Sequence, residues 1–257
     1  MKNKRKPIFI LFVFIIFSLI TFYGCGLLES STGIEIDKNT LEKVPMIKGI
    51  TNQKIQMGEA GILLYTLSVP EIKEGETVPF IIALHWAGVA KVHFSEDYLR
   101  GLAEPGFRDL GAIVFAPDVP GYNWNDEFSE DAILKFLEAA KQVWPINPNK
   151  VVITGYSMGG NGTWYMIDKH PNKFCAGIPM ASVPSGKLTG ELPIYIIHGK
   201  KDELFDYKKA ESAYNILKSK GANVRISLPE NLSHYQGFSY VKYLQEASSW
   251  LQTSFWE

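Results

Sequence analysis

Residues 151–170 read VVITGYSMGGNGTWYMIDKH, and the reading of this stretch decides the fold. The apolar run VVIT leads directly into Gly155-Tyr156-Ser157-Met158-Gly159, and TWYMIDKH continues as a helix. A G-x-S-x-G pentapeptide set between a strand and a helix forces a sharp turn, in which the serine adopts strained backbone and only glycine fits at the flanking positions. The turn exposes Ser157 Oγ. It also aims the Met158 N–H at any oxyanion formed on a carbonyl that the serine attacks, and the following helix adds its positive end. A phosphate-cradling glycine turn would need G-x-G-x-x-G or a P-loop lysine, and the sequence has neither.

On both sides of this stretch the chain alternates between two patterns. FIIAL at 80–84 is the continuous apolar run of a parallel strand covered on both faces, and further runs stand at 62–65, 112–116, 176–180, 194–197 and 224–228. Between them Ile133, Phe136, Leu137, Ala140 and Trp144 draw an apolar helical stripe. Tyr214 and Leu217 mark another helix, ended by Gly221, and Tyr240, Tyr243, Leu244, Ala247 and Leu251 mark a C-terminal one. The expected class is α/β, a mostly parallel central sheet flanked by helices over residues 52–257. The short segment between Ser157 and Asp202 leaves no room for a large cap.

The first residues read differently. Lys2, Lys4, Arg5 and Lys6 precede an apolar stretch at 7–23, so residues 1–24 look like an export signal. Gly24-Cys25 resembles the lipobox of bacterial lipoproteins, in which Cys25 would be lipidated, although Phe22 and Tyr23 depart from that pattern. About 17 apolar residues also meet the lower limit for an uncleaved membrane anchor. Each reading, ordinary secretion included, exports the domain. Residues 25–51, polar and without clear periodicity, are expected to be a tether. Net charge is −1, with no basic block outside the signal, which excludes an electrostatic case for nucleic acid. The two cysteines, Cys25 and Cys175, form no disulfide framework, and no Cys/His spacing suggests a metal site.

A serine hydroxyl needs a base, and the base needs an orienting carboxylate. In a fold with this elbow they follow in the order Ser…Asp/Glu…His. Of five histidines, only His198 and His234 lie downstream of the relevant strands, and His234 stands between the last strand and the final helix. It is the expected base. Asp202, in HGKKD at a strand's carboxyl end, is the expected orienting acid, with Glu203 and Asp206 as neighbours that could substitute. The second oxyanion donor belongs to the loop after FIIALHWAG, at Ala87 beside Trp86, where His85 reads as a structural brace.

With these pieces in place, the chain from about residue 54 onward resembles the α/β-hydrolase superfamily. Within it, the likeness is to the compact esterase group of dienelactone hydrolase-like proteins, phospholipase/carboxylesterases, feruloyl esterases and polyhydroxybutyrate depolymerases. The resemblance rests on NPNKVVITGYSMGGNGTWYMIDKHPNKFCAGIPMAS, PIYIIHGKKDELF and NLSH. It implies Ser157 as nucleophile, Asp202 as acid, His234 as base, Met158 and Ala87 as the oxyanion hole, and no cofactor. The group usually has His-Gly where this chain has His85-Trp86, so Trp86 either walls the acyl pocket or marks a displaced loop. Tyr122 and Trp124, in GYNWND, are candidates for stacking on a sugar or aryl group, against plain packing. The expected activity is that of an exported serine esterase on small-molecule or polysaccharide-linked esters. The alternatives are a prolyl-oligopeptidase-like peptidase, for whose extra propeller domain the chain lacks length, and a non-catalytic surface protein.

Overall fold

The computed structural model of the protein describes residues 32–89 and 91–256. The expected export signal, Cys25 and the first part of the expected tether lie outside them. Among the described residues no helix is long and apolar enough to cross a membrane.

Eight strands form one sheet: β1 (Gly49–Gln56), β2 (Ile62–Val69), β3 (Val78–Leu84), β4 (Ile113–Pro117), β5 (Ile146–Tyr156), β6 (Ala176–Met180), β7 (Ile194–Ile197) and β8 (Val224–Ser227). Their spatial order is β1-β2-β4-β3-β5-β6-β7-β8. The first two strands are antiparallel to their neighbours, and every pairing from β4 to β8 is parallel. Strand β1 has no counterpart in the apolar runs because its residues alternate with polar ones at an edge.

The parallel strands β3, β4, β6 and β7 and the second half of β5 are buried and almost wholly apolar because both sheet faces are covered there. In β3 all seven residues are buried, Phe80, Ile82 and Leu84 facing one core and Ile81 and Ala83 the other. Helices α1 (Glu127–Val143) and α2 (Met158–Lys169) serve the first core, through Phe136, Leu137, Trp164 and Ile167. Short helical turns at 95–110 and helix α4 (Val241–Leu251) serve the second, and α3 (Tyr207–Ser219) connects β7 to β8. Strand order reverses between β3 and β5, which pair side by side with Leu84 opposite Gly155. The carboxyl ends of strands at such a reversal open the crevice where α/β sheets bind ligands.

The N-terminal boundary is a correction. From residue 32 onward the stretch expected to be a tether is packed onto the domain: Ile34, Ile36 and Leu41 are buried in the same core as Phe136. Glu35 N–H donates to Met57 O, Lys135 Nζ donates to Ile34 O, and Asp37 caps the helical turn Lys38–Leu41. Three aliphatic side chains separated by polar ones show no periodicity, yet their burial removes enough apolar surface to hold the segment.

Candidate active site

The turn after β5 has the geometry that the pentapeptide requires. Ser157 has φ 56° and ψ −115°, a conformation sparsely populated by residues with a side chain, and its N–H donates to Met180 O at 3.0 Å. A Cβ on Gly155 would lie 2.2 Å from Gly159 O, and one on Gly159 would lie 1.9 Å from Leu84 O. Backbone therefore occupies both flanks, and the turn presses against the end of β3.

Two loops at the far edge of the sheet bring the other groups in. Lys201 N–H donates to Leu232 O and Lys201 bridges to Ser233, so the loop after β7 and the loop after β8 run together. His234 Nε2 lies 2.8 Å from Ser157 Oγ, across 77 residues of sequence, and His234 Nδ1 lies 2.8 Å from Asp202 Oδ2. With Nδ1–H donating to the carboxylate, Nε2 is left to accept the serine proton. The structure thus brings Ser157, His234 and Asp202 into one line. Burial would raise the Asp202 carboxyl. Hydrogen bonds from His198, His234 and the Phe205 N–H outweigh it and hold the group well below the usual carboxylate range. Asp202 therefore stays an anion beneath the imidazole.

Two residues fix the backbone of His234: Glu203, expected only as a neighbour that could substitute for Asp202, and Tyr156, to which sequence reasoning assigned no role. Glu203 Oε2 accepts the His234 N–H at 2.9 Å, and Tyr156 Oη donates to the His234 carbonyl at 2.7 Å. Burial pushes the Tyr156 hydroxyl up, and neighbouring Tyr240 and the carboxylates Asp202 and Glu203 add to the shift, so it remains a donor. Glu203 thus takes a place beside Asp202 rather than replacing it, and Asp206 caps α3 through Lys208 N–H. Neither contact leaves a local pattern, since each joins residues tens of positions apart.

The loop after β3 is braced as expected of His85. Its Nδ1 meets Trp86 O at 2.6 Å, its Nε2 accepts the Val119 N–H at 3.1 Å, and its carbonyl accepts Trp124 Nε1–H at 2.9 Å. Burial lowers the imidazole pKa, against smaller raising contributions from Trp86 and Asp118, so the ring is neutral. Neither the Ala87 N–H nor the Met158 N–H donates to another group among the described residues, which leaves both for a ligand oxygen.

A cleft of about 570 Å³ opens over Ser157 and His234, walled by Trp86, Tyr156, Leu204, Tyr235 and Phe238. Trp86 is fixed edge-on against Tyr98, Tyr156 and Phe238, so the indole is a rigid wall. Trp124 is a correction: it is 1% exposed, packed in the core behind His85, and stacks on nothing from solvent. A buried indole whose N–H holds a backbone carbonyl satisfies both its apolar body and its polar edge. Tyr122 is 97% exposed and borders a second cavity, of about 510 Å³, that shares Ala87 and includes Met158 but neither Ser157 nor His234. Among the described residues no group of His, Cys, Asp and Glu could hold a metal ion.

Residues 72–247 match the family model of the dienelactone hydrolase family. The chain is 26% identical over 180 residues to protein usf of Aquifex pyrophilus, covering 61% of this chain and 75% of that one. It is 24% identical over 181 residues to acetylxylan esterase A of Aspergillus oryzae, covering 65% of this chain and 56% of that one. It spans 14% of a bifunctional acetylxylan esterase/xylanase of Neocallimastix patriciarum. Among solved structures, a thermostable esterase superposes with a TM-score of 0.67 at 23% identity, over 79% of this chain and 62% of that one, a likeness of fold. The α/β-hydrolase arrangement of the sheet is shared with it, and among the described residues of this chain no large cap is present.

Proposed function

The chain belongs to the dienelactone hydrolase family, and from that premise we propose that it hydrolyses carboxylic esters by covalent catalysis at Ser157. The observation that carries the reading is the line of two 2.8 Å hydrogen bonds from Ser157 Oγ through His234 to buried Asp202. His234 Nε2 takes the Ser157 proton as Oγ bonds to the ester carbon, and the Ala87 and Met158 N–H groups receive the oxyanion. His234 then gives the proton to the departing alkoxide as the acyl–oxygen bond breaks. In the second half, His234 takes a proton from water, the hydroxide adds to the acyl carbon, and Ser157 leaves with its proton restored.

Support for the substrate comes from three directions. The acetylxylan esterases similar to this chain act on acetylated carbohydrate by name. Among the described residues no Lys, Arg, Asp or Glu lines the cleft over Ser157, which suits a neutral ester. No cap encloses it. We therefore assign carbohydrate-linked, feruloyl or short-chain acyl esters. The signal-like residues 1–24 and Cys25 support export with a lipid anchor.

A fluorophosphonate probe is expected to label Ser157, and Ser157→Ala is expected to lose both label and esterase activity, by roughly 10⁴-fold or more in kcat. Purified protein that neither labels nor turns over p-nitrophenyl acetate would sink the proposal.

A further inference from the structure

We infer that the cleft between Trp86 and Tyr235 is the subsite for the leaving alcohol, and that it takes a neutral sugar ring. The inference rests on the ester hydrolase reading above and specifies which side of the substrate this part of the site holds.

The chemistry of the proton fixes the side. In the acylation step His234 Nε2 must deliver its proton to the departing oxygen, so that oxygen sits within about 3 Å of Nε2. The carbonyl oxygen is committed to the Ala87 and Met158 N–H groups. The alcohol therefore extends from His234, and what it meets is the chain immediately following: residues 235–239, which wall the cleft. The acyl group takes the remaining direction. Trp86 borders the alcohol side, not the acyl pocket that its place beside Ala87 suggests.

The wall has an alternating chemistry. Tyr235 is 74% exposed and Phe238 54% exposed, and Gln236 and Ser239 stand next to them along the same loop. Gln236 Oε1 is engaged by the Ser233 N–H at 2.9 Å, which orients the amide and leaves its NH₂ to donate. A sugar ring carries an apolar C–H face and a rim of hydroxyls, and open aromatic faces with hydrogen-bonding groups between them complement both. A purely aryl alcohol would leave the polar groups without partners. A charged alcohol would find no counter-ion there, since no Lys, Arg, Asp or Glu among the described residues lines the cleft.

The test holds the acyl group constant. All acetyl esters pass through the same acetyl-Ser157, so differences among them report the alcohol. For the full-length enzyme, kcat/KM is measured on acetylated xylo-oligosaccharide, p-nitrophenyl acetate and ethyl acetate, and on p-nitrophenyl butyrate for the acyl side. Tyr235→Ala is expected to lower the ratio of acetylated sugar to ethyl acetate roughly tenfold, and Phe238→Ala to do the same. Because Tyr235 projects into solvent, its removal does not threaten folding. The acetate-to-butyrate ratio at fixed p-nitrophenol is expected to hold within about twofold. If the variants shift that acyl ratio and leave the sugar preference intact, the cleft is the acyl side and the inference falls. A variant loss equal for p-nitrophenyl acetate and the sugar ester would mean an aryl-type slot and would also overturn it. Failure of the broader reading looks different: wild-type Ser157 would resist the fluorophosphonate and no ester would turn over.

Discussion

Tyr156 fills the first variable position of the pentapeptide, yet its hydroxyl reaches 78 residues along the chain to hold the His234 carbonyl. Buried at one end among Trp86 and Tyr240 and bonded at the other, it links the elbow to the base loop. Tyr156→Phe keeps the ring and removes the donor, leaving a carbonyl short of a partner at a cost of about 1–3 kcal/mol. The expected result is a kcat reduced about tenfold with KM nearly unchanged, because the imidazole is displaced from the serine more than the substrate is displaced from its cleft. Activity is counted per fluorophosphonate-reactive site. A purely structural role would lower Tm and leave that corrected kcat untouched, which would refute the positioning role.

At the scale of elements, the site is assembled from the carboxyl ends of β3, β5, β7 and β8, and the tightest junction is the elbow against β3. Gly159→Ala would place a methyl 1.9 Å from Leu84 O and 2.8 Å from His85 O, both backbone atoms that cannot swing aside. The end of β3 must then move, and Ala87 with it. The expected cost is about 3 kcal/mol or more in urea unfolding, with kcat down at least roughly 100-fold through the oxyanion donors. Near-native values for both would contradict the junction described. Much of this arrangement is legible in the sequence because it follows strand ends. An apolar run followed by Gly-x-Ser, His-Gly or Asn-Leu-Ser-His marks positions over the sheet, and Ser157, Asp202 and His234 are found that way. Trp124 is not: a loop aromatic carries no sign of whether it turns toward solvent or under the neighbouring loop, and here Nε1 is drawn to the His85 carbonyl. Glu203 and Tyr156 act on backbone atoms of a distant residue, and such contacts have no spacing to read.

The whole molecule extends further toward the N-terminus than polarity suggests. Leu41 is fully buried beside α1, and Ile34 and Ile36 join the same core. Leu41→Ala is therefore expected to cost about 2–5 kcal/mol and to lower Tm by roughly 5–15 °C, followed by thermal unfolding. A free tether would show no change, and an unaltered Tm would restore that reading. The composition hides this because Ile34, Ile36 and Leu41 each stand among charged or polar residues, and what holds the segment is the surface waiting for them on α1.

The order in which the chain is made adds a further consequence. The elbow's backbone contacts come from β3, β5 and β6, all complete by Met180, whereas His234 depends on β8 at the sheet's far edge and on the loop beyond it. A domain folds as a unit, and α4, which covers the second core, is made last of all, so the strained turn is expected to close only when the C-terminal residues are available. Ser157 and His234 then come together in a single event at the end of synthesis.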